Sequence, residues 1–334
     1  MSLTNSPNSL LSFNHRHVIS SVSTNSELID AIKNTSLAAD ELHLLTAETQ
    51  SAGRGQRGRS WQSPLGNVYL SLYHPVTMPV SGLLSLIIGV ELAKMPVIDE
   101  LNKQLNAQGL NPIGVKWAND LGFYNTSPLS DKLAEGNTGY QINQQTDLNA
   151  NNSSHTSENT DQQIIYFNKL AGILIEPVWC ASKLVGVVMG VGLNVQATPT
   201  LTAQTCEGMS YQALSLQDIY QQLEPIGAAP LPKLSSLYQQ ITNALIASIS
   251  CFHSVMIEKS SVEVTAANDF MQQFNTLDAL AGLRLQVTQN HNGQSQIITG
   301  TACGIDAQGC LQLRQDNGKL AALFTGRIDV IGKY

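Results

Sequence analysis

The chain has 334 residues, a net charge of −7 and 43% hydrophobic residues, enough for two domains or for one domain with an appendage. An acidic chain argues against a general nucleic-acid binder, which is usually basic. The five cysteines form no Cys-x-x-Cys pair, which indicates reduced thiols and a cytoplasmic location. We find no signal-peptide pattern, and the longest apolar stretch, 83–93, is too short to span a bilayer, so we expect no membrane contact.

The first predicted helix begins with a polar motif. Residues 17–22 predict a short strand, and Thr24 followed by Glu27 has the pattern of a capping box. We therefore expect a helix from about residue 25 into the thirties. A plain helix cap is a sufficient explanation for this segment alone. The alternative is that the N–H groups and side chains of Ser23, Thr24 and Asn25 bind a polar ligand.

A loop of alternating glycine and arginine follows the next predicted strand, 42–48, which runs into Gln50. This Gly/Arg loop is Gly53–Arg59, with Trp61 close behind it, and another strand is predicted at 67–74. Glycine lets a ligand approach main-chain N–H groups, and arginine fits phosphate or carboxylate oxygens, so the loop suggests a clamp for a small anion. The alternatives are a flexible basic surface loop and a nucleic-acid contact. A P-loop is excluded, because no helix and no Gly-Lys-Ser/Thr ending follow.

A compact polar segment comes after a helical region. Residues 81–109 have helical periodicity with a break or kink expected at Pro96. Two strand-like pieces then flank Lys116, Asn119 and Asp120. Lysine can reach an anion, whereas asparagine and aspartate can bind a hydroxyl, a base edge or a divalent cation. The spacing alone favours a simple Asn-Asp β-turn.

The middle of the chain changes composition and then returns to strands. Residues 125–163 are dominated by Asn, Gln, Ser and Thr, and they predict a disordered insertion between two strands. Strands are predicted at 164–176, which contains Lys169, and at 183–195, which ends near Asn194. Glycines inside the second strand indicate close approach by a ligand or a neighbouring backbone. A solvated strand edge is the plain alternative for Lys169, and a turn is the alternative for Asn194.

The domain boundaries follow from the remaining pattern. A disordered tail is predicted at 1–16, a catalytic domain at 17–278 and a small C-terminal domain at 281–334. Helices are predicted at 216–222, 233–252 and 260–274. Five short strands joined by turn sequences predict a small β-barrel, at 283–287, 297–305, 310–314, 320–324 and 328–331.

The order and content of these motifs resemble the biotin protein ligases (biotin–acetyl-CoA-carboxylase ligases). The matching motifs are Ser23-Thr24-Asn25, Gln50, the Gly/Arg loop with Trp61, Lys116–Leu121, Lys169–Leu174, Gly190–Asn194, Gly304-Ile305-Asp306 and Gly326-Arg327-Ile328. The resemblance covers about residues 18–334, apart from the insertion. It implies an α+β fold in which a mixed β-sheet with helices forms a catalytic domain related to class II aminoacyl-tRNA synthetases. The C-terminal part would be a small SH3-like β-barrel.

The resemblance also implies an activity. Such an enzyme forms biotinyl-5′-AMP from biotin and ATP, and then transfers biotin to one lysine of the biotin carboxyl carrier protein of acetyl-CoA carboxylase. Mg²⁺ would be bound mainly through ATP, with Asp120 as the one candidate protein ligand. Relatives that act as repressors carry a helix-turn-helix domain ahead of the catalytic one. Only about seventeen residues precede the first predicted strand here, so we expect a ligase-only form that binds no DNA. A homodimer is left open.

The family's site residues can be carried over position by position. The resemblance implies a catalytic role for Lys169, Arg54, Lys116 and Asp120. The residues implied for biotin are Ser23, Thr24, Asn25, Gln50, Arg54, Gly55, Gln56 and Lys169. The residues implied for ATP and the adenylate are Arg54, Arg57, Arg59, Trp61, Lys116, Asn119, Asp120 and Asn194.

Two positions depart from the family pattern. Gln56 stands where most members carry arginine, which removes one charge from the clamp, and Ala118 stands where proline is usual.

A lipoate or octanoate ligase shares the domain plan, but the Gly/Arg loop and the Lys-Trp-x-Asn-Asp pattern favour biotin. A biotin-sensing DNA-binding regulator is opposed by the acidic charge. A non-catalytic binding module is opposed by the presence of Lys169, Asp120 and Arg54.

Overall fold

The computed structural model of the chain describes residues 14–125, 166–199, 211–223, 230–258, 265–291 and 294–333. Of the predicted tail, 1–13 lie outside the described residues, whereas Asn14 to Arg16 begin the first strand. The prediction of a tail up to residue 16 was therefore three residues too long. The predicted insertion at 125–163 also lies outside the described residues, except for Asn125, which ends a strand.

A large mixed sheet forms the centre of the first domain, as predicted. Its strands are β1 (Asn14–Ser21), β2 (His43–Gln50), β3 (Val68–Pro75), β4 (Gly114–Lys116), β5 (Asp120–Asn125), β6 (Tyr166–Cys180), β7 (Lys183–Leu193) and β8 (Tyr211–Ala213). Seven of them run in the order β1-β2-β3-β7-β6-β5-β4, and β8 pairs with β6. The pairs β1–β2 and β6–β8 are parallel, and the other pairs are antiparallel. The three-residue strand β8 was not predicted from the sequence.

Helices flank this sheet, and they follow the predicted order. They are α1 (Thr24–Lys33), α2 (Gly82–Ala93), α3 (Pro96–Ala107), α4 (Leu216–Gln222), α5 (Leu234–Glu258) and α6 (Thr265–Leu277). The expected break at Pro96 is present, because this residue occupies the first turn of α3, where its missing N–H leaves no hydrogen bond unmade.

Helix α5 is the longest and one of the most apolar helices in the described part of the chain. Residues 234–257 are long and apolar enough, by length and composition alone, to cross a membrane. Leu237, Leu245 and Phe252 of this helix are buried in the main hydrophobic core, and α5 packs against α2. Burial in this core accounts for the apolar face of the helix.

The alternation of side chains along β7 divides the sheet into two faces. Met189 and Val191 point into the main core, beneath α2 and α5. Gly190 and Gly192 point to the opposite face, where α1 lies, and we call this the site face. A Cβ atom on Gly192 would lie 2.5 Å from the ring of Trp61. These glycines do permit close approach, but the groups that approach them are the side chains of Trp61 and Asn25.

The predicted small C-terminal β domain is present as a five-stranded antiparallel sheet in the order β12-β11-β10-β9-β13. Its strands are β9 (Leu283–His291), β10 (Gln294–Ile305), β11 (Leu311–Arg314), β12 (Leu320–Leu323) and β13 (Arg327–Lys333). It contacts the first domain through Trp117, whose Nε1–H donates to the Gly309 carbonyl at 2.9 Å.

Candidate functional site

A cavity of about 270 Å³ opens on the site face between α1, the Gly/Arg loop and strands β3, β6 and β7. Most of the predicted site residues line it, namely Ser23, Thr24, Asn25, Gln50, Arg54, Gly55, Gln56, Arg59, Trp61, Asn119, Lys169 and Asn194. The structure therefore brings together motifs that are separated by up to 171 positions in the sequence (Ser23 to Asn194).

The start of α1 is held by a tertiary contact, and the predicted capping box is absent. Ser23 is the N-cap and its side chain makes no capping bond. Glu27 instead accepts a 2.5 Å hydrogen bond from the Ser21 hydroxyl. The backbone N–H and the hydroxyl of Thr24 both donate to Gln50 Oε1, at 2.9 and 3.2 Å. The capping-box prediction was wrong because Gln50, on β2, satisfies the donors at this end of the helix.

A buried polar network continues from Thr24 into the sheet. The Ser71 hydroxyl, on β3, lies 2.7 Å from Thr24 Oγ1 and 2.6 Å from Asn25 Oδ1. The Asn25 amide donates to Glu176 Oε2 at 2.9 Å and to the Leu174 carbonyl at 3.3 Å. Ser71 and Glu176 were not predicted as site residues. Each is a polar residue in an otherwise apolar strand, which the sequence shows, but the sequence does not show which residues they hydrogen-bond.

The Gly/Arg loop folds back on itself. The Gly55 N–H donates to the Arg59 carbonyl at 2.7 Å, and the Trp61 N–H donates to the Gly53 carbonyl at 2.8 Å. Arg54 is tied to the first turn of α1, where it donates to Ser26 Oγ at 2.8 Å. With the loop held in this way, Gly55, Gln56 and Arg59 line the cavity.

Arg57 is the predicted nucleotide contact that the structure places elsewhere. It does not line the cavity, its backbone is in the left-handed region with a φ of 59°, and its guanidinium donates to Thr325 of the C-terminal domain. In this arrangement Arg57 joins the two domains, and the cations that line the cavity are Arg54 and Arg59 on the loop and Lys169 on the sheet.

Two buried polar atoms at the cavity have no partner among the described residues. One is the Trp61 Nε1–H, on an indole that packs over Gly172 and Gly192 with Lys169 Nζ 5.2 Å from its ring centroid. The other is Asn194 Oδ1, whose own amide donates to the Leu214 carbonyl at 3.1 Å. A buried donor and a buried acceptor without partners are costly, so a ligand that pairs with both would be favoured.

Lys169, Asp120 and Lys116 form a chain of charges behind the cavity. Lys169 Nζ lies 2.6 Å from Asp120 Oδ1, and Lys116 Nζ lies 3.9 Å from Asp120 Oδ2. Burial lowers the pKa of Lys116 to about 8, and the nearby Lys169 and Arg59 also lower it while Asp120 opposes them. Lys116 and Asp120, which were predicted to contact the nucleotide, do not line the cavity, whereas Lys169 does.

The acidic residue considered for Mg²⁺ does not fit that role in this arrangement. The Asp120 carboxylate is engaged by two ammonium groups, and its side chain is only 6% exposed. Within the described part of the chain, no group of three His, Cys, Asp or Glu side chains is arranged to hold a metal ion.

Comparisons with known families match both domains. Residues 18–135 match the model of the biotin/lipoate A/B protein ligase family, and residues 292–330 match the biotin protein ligase C-terminal domain. The chain is 40% identical over 98 residues to the bifunctional ligase/repressor BirA of Escherichia coli K12, and 44% identical over 78 residues to that of Salmonella typhimurium. These alignments span 27% and 22% of the two curated relatives.

Solved structures agree on the fold over nearly the whole chain. A biotin protein ligase from Aquifex aeolicus in complex with biotin and ATP superposes with a TM-score of 0.58 at 16% identity, covering 96% of this chain and 99% of the other. A mutant of the Aquifex enzyme in complex with biotin gives a TM-score of 0.54 at 16% identity, covering 95% and 97%. At this identity the likeness concerns the fold.

Proposed function

We propose that the chain is an ATP-dependent biotin protein ligase, and its matches to the biotin/lipoate A/B protein ligase family and to the biotin protein ligase C-terminal domain support this proposal. It would form biotinyl-5′-AMP from biotin and ATP, release pyrophosphate, and then transfer biotin to a lysine of a biotin carboxyl carrier protein. The acceptor, the cytoplasmic location and the absence of DNA binding remain predictions from the sequence, and the oligomeric state stays open.

The observation that carries the proposal is the polar network at the α1 end of the cavity. Thr24, Gln50 and Asn25 bring hydroxyl and amide groups to this wall, next to Tyr69 and Leu174, which also line the cavity on the site face. Biotin has a ureido ring with N–H donors and a carbonyl acceptor, followed by a thioether ring and an aliphatic chain. An apolar pocket with a few fixed polar groups fits such a molecule.

The first step joins two anions, and the cavity supplies cations for it. The biotin carboxylate attacks the α-phosphorus of ATP, a new C–O–P linkage forms, and pyrophosphate leaves. Lys169 and Arg59 line the cavity, where their charges oppose the repulsion between carboxylate and phosphate. Asp120 holds Lys169 Nζ at 2.6 Å and fixes its position relative to the cavity.

The unpartnered groups of Trp61 and Asn194 support a nucleotide at the opposite end. An adenine base offers both a donor and acceptors at its edge and a flat face for an aromatic ring. Trp61 provides an indole and a buried N–H, and Asn194 provides a buried carbonyl oxygen. In the second step, the amine of the acceptor lysine attacks the carbonyl carbon of the adenylate, and AMP leaves.

Lipoate or octanoate ligation is the alternative within the same family model. A lipoyl or octanoyl group has an apolar end without hydrogen-bonding groups. Biotin can exchange hydrogen bonds with the hydroxyl and amide groups of Thr24, Asn25 and Gln50, whereas an octanoyl chain cannot. Together with the Gly/Arg loop and the Lys-Trp-x-Asn-Asp pattern of the sequence, this favours biotin.

The test is incubation of the purified full chain with a biotin carboxyl carrier domain, ATP and Mg²⁺. Radiolabelled biotin, lipoate and octanoate are supplied separately, and AMP formation is measured with each. We expect label on the carrier lysine only with biotin and ATP. Transfer of lipoate or octanoate in preference to biotin would replace the proposal, and AMP formation with none of the three would remove it.

A further inference from the structure

One carboxylate joins two elements of the cavity without lining the cavity itself. Glu176, on β6, accepts from the Asn25 amide at 2.9 Å through Oε2, and its Oε1 pairs with the Arg54 guanidinium. Arg54 also donates to Ser26 Oγ at 2.8 Å. Asn25 and Ser26 lie in the first turn of α1, and Arg54 lies in the Gly/Arg loop. Glu176 therefore connects the start of the helix to the start of the loop.

This arrangement changes the expected role of Arg54. A bare arginine at the cavity would be available to an anionic ligand, but this guanidinium is already balanced by a carboxylate. Its side chain is 45% exposed and that of Glu176 is 21% exposed. The pair is thus partly shielded from solvent, which makes it stronger than a fully exposed ion pair.

We propose that Glu176 is a positioning residue that anchors the Gly/Arg loop to α1 through Arg54 and orients the Asn25 amide. An ionised carboxylate only accepts hydrogen bonds, so it selects the NH₂ end of that amide. The amide oxygen is thereby turned toward Ser71, as the 2.6 Å distance between Oδ1 and Ser71 Oγ requires. The effect on biotin rests on the proposed function, whereas the effect on the loop does not.

The loop can be probed without any ligand, because trypsin cleaves after arginine. Cleavage after Arg57 and Arg59 reports the fraction of molecules in which the loop is open. Glu176→Gln removes the charge and keeps the shape, and we expect the initial cleavage rate to rise roughly threefold to tenfold, as for the loss of one hydrogen bond of ordinary strength. The control is Asp316→Asn, which breaks the 2.7 Å pair with Arg284 in the C-terminal domain and should leave loop cleavage unchanged. An unchanged rate in Glu176→Gln would overturn the proposal.

A second variant keeps the test decisive if Glu176→Gln folds poorly. Arg54→Met removes the other half of the pair and should raise cleavage after Arg57 by a similar factor. The double variant should cleave no faster than the faster single variant, because both changes break one connection. Multiplied effects would overturn the proposal.

Steady-state kinetics then separate positioning from a general structural role. With biotin, ATP and a carrier domain, Glu176→Gln should raise the KM for biotin several-fold and change kcat less than twofold. A lower kcat with unchanged KM would contradict the role assigned to Asn25. If the wild-type chain transfers no biotin, the proposed function fails, and the cleavage result still decides whether Glu176 anchors the loop.

Discussion

Lys169 Nζ lies 2.6 Å from Asp120 Oδ1, and the same carboxylate faces the buried Lys116 from its other oxygen at 3.9 Å. Of the three, Lys169 alone reaches the cavity. Asp120 and Lys116 therefore bear on the cavity only through Lys169: Asp120 fixes the position of its ammonium group, and Lys116 adds to the local charge.

The first prediction is that Lys169→Ala lowers biotin- and ATP-dependent labelling of a carrier domain by about a hundredfold or more. The reason is the loss of a fixed cation where carboxylate and phosphate meet, and removal of one such group usually costs that much in kcat. The matched control is Lys183→Ala, at an exposed position of β7, which should label at the wild-type rate. Robust labelling by Lys169→Ala would remove this lysine from the reaction.

The second prediction concerns Gln56, which lines the cavity at the position where the family resemblance implies arginine. Gln56→Arg should slow the escape of biotinyl-AMP roughly tenfold, because a guanidinium can form a charge-assisted hydrogen bond with the phosphate of the intermediate. The measurement is single-turnover formation of the adenylate followed by dilution, with free biotinyl-AMP quantified over time. Gln296→Arg adds the same charge on an exposed strand of the C-terminal domain and should leave escape unchanged. Equal escape rates for Gln56→Arg and wild type would refute the prediction.

Local signals in the sequence predicted the fold and most of the cavity wall. Glycines at alternate positions of β7 and the Gly/Arg loop act through backbone conformation and spacing, which a sequence reveals directly. Strand β8 was missed, because three residues are too few to establish periodicity and their pairing with β6 is non-local. A three-residue strand is recognised only when its partner is known.

Other features of the site depend on packing across the sheet. The start of α1 uses Gln50 as its partner because β2 passes beside it, and the sequence alone gave preference to Glu27, which is nearer along the chain. Glu176 was missed because its partner Arg54 is 122 positions away. Lys116 and Asp120 were correctly recognised as polar residues of one segment, but their burial behind Lys169 follows from the register of β4, β5 and β6.

The third prediction tests the position of Trp61. A methyl group at Gly192 would lie 2.5 Å from its indole, so Gly192→Ala must displace the ring. We expect a changed tryptophan emission spectrum and a roughly tenfold higher KM for ATP, with a smaller effect on biotin, since Trp61 is assigned to the nucleotide end. Gly82→Ala is the control, because its added methyl meets no atom within 4 Å. An unaltered spectrum together with an unaltered KM for ATP would show that Trp61 does not pack as described.

The fourth prediction concerns Asp278, at the junction between α6 and the C-terminal domain. Burial raises the pKa of this carboxyl to about 6, against the opposing effect of the Leu280 N–H, which donates to Oδ1 at 2.9 Å. A raised pKa means that the folded state holds the proton more tightly than the unfolded state. Its contribution to stability is therefore present below the unfolded pKa of 3.8 and is lost as the pH rises through 6.

Asp278→Asn keeps the acceptor oxygen and removes the charge, so it should melt at a higher temperature than wild type above pH 6. The gain in the free energy of unfolding is at most about 3 kcal/mol, the equivalent of roughly two pKa units, and it should vanish as the pH falls toward 4.

Asp316→Asn provides a control of opposite sign. The hydrogen bond from Arg284 holds the pKa of Asp316 below its usual value, so this variant should lose stability at neutral pH and approach wild type in acid. Melting curves of the three proteins between pH 4 and 8 check both signs, and a neutral-pH loss in Asp278→Asn would contradict the burial of an ionised carboxylate at this junction.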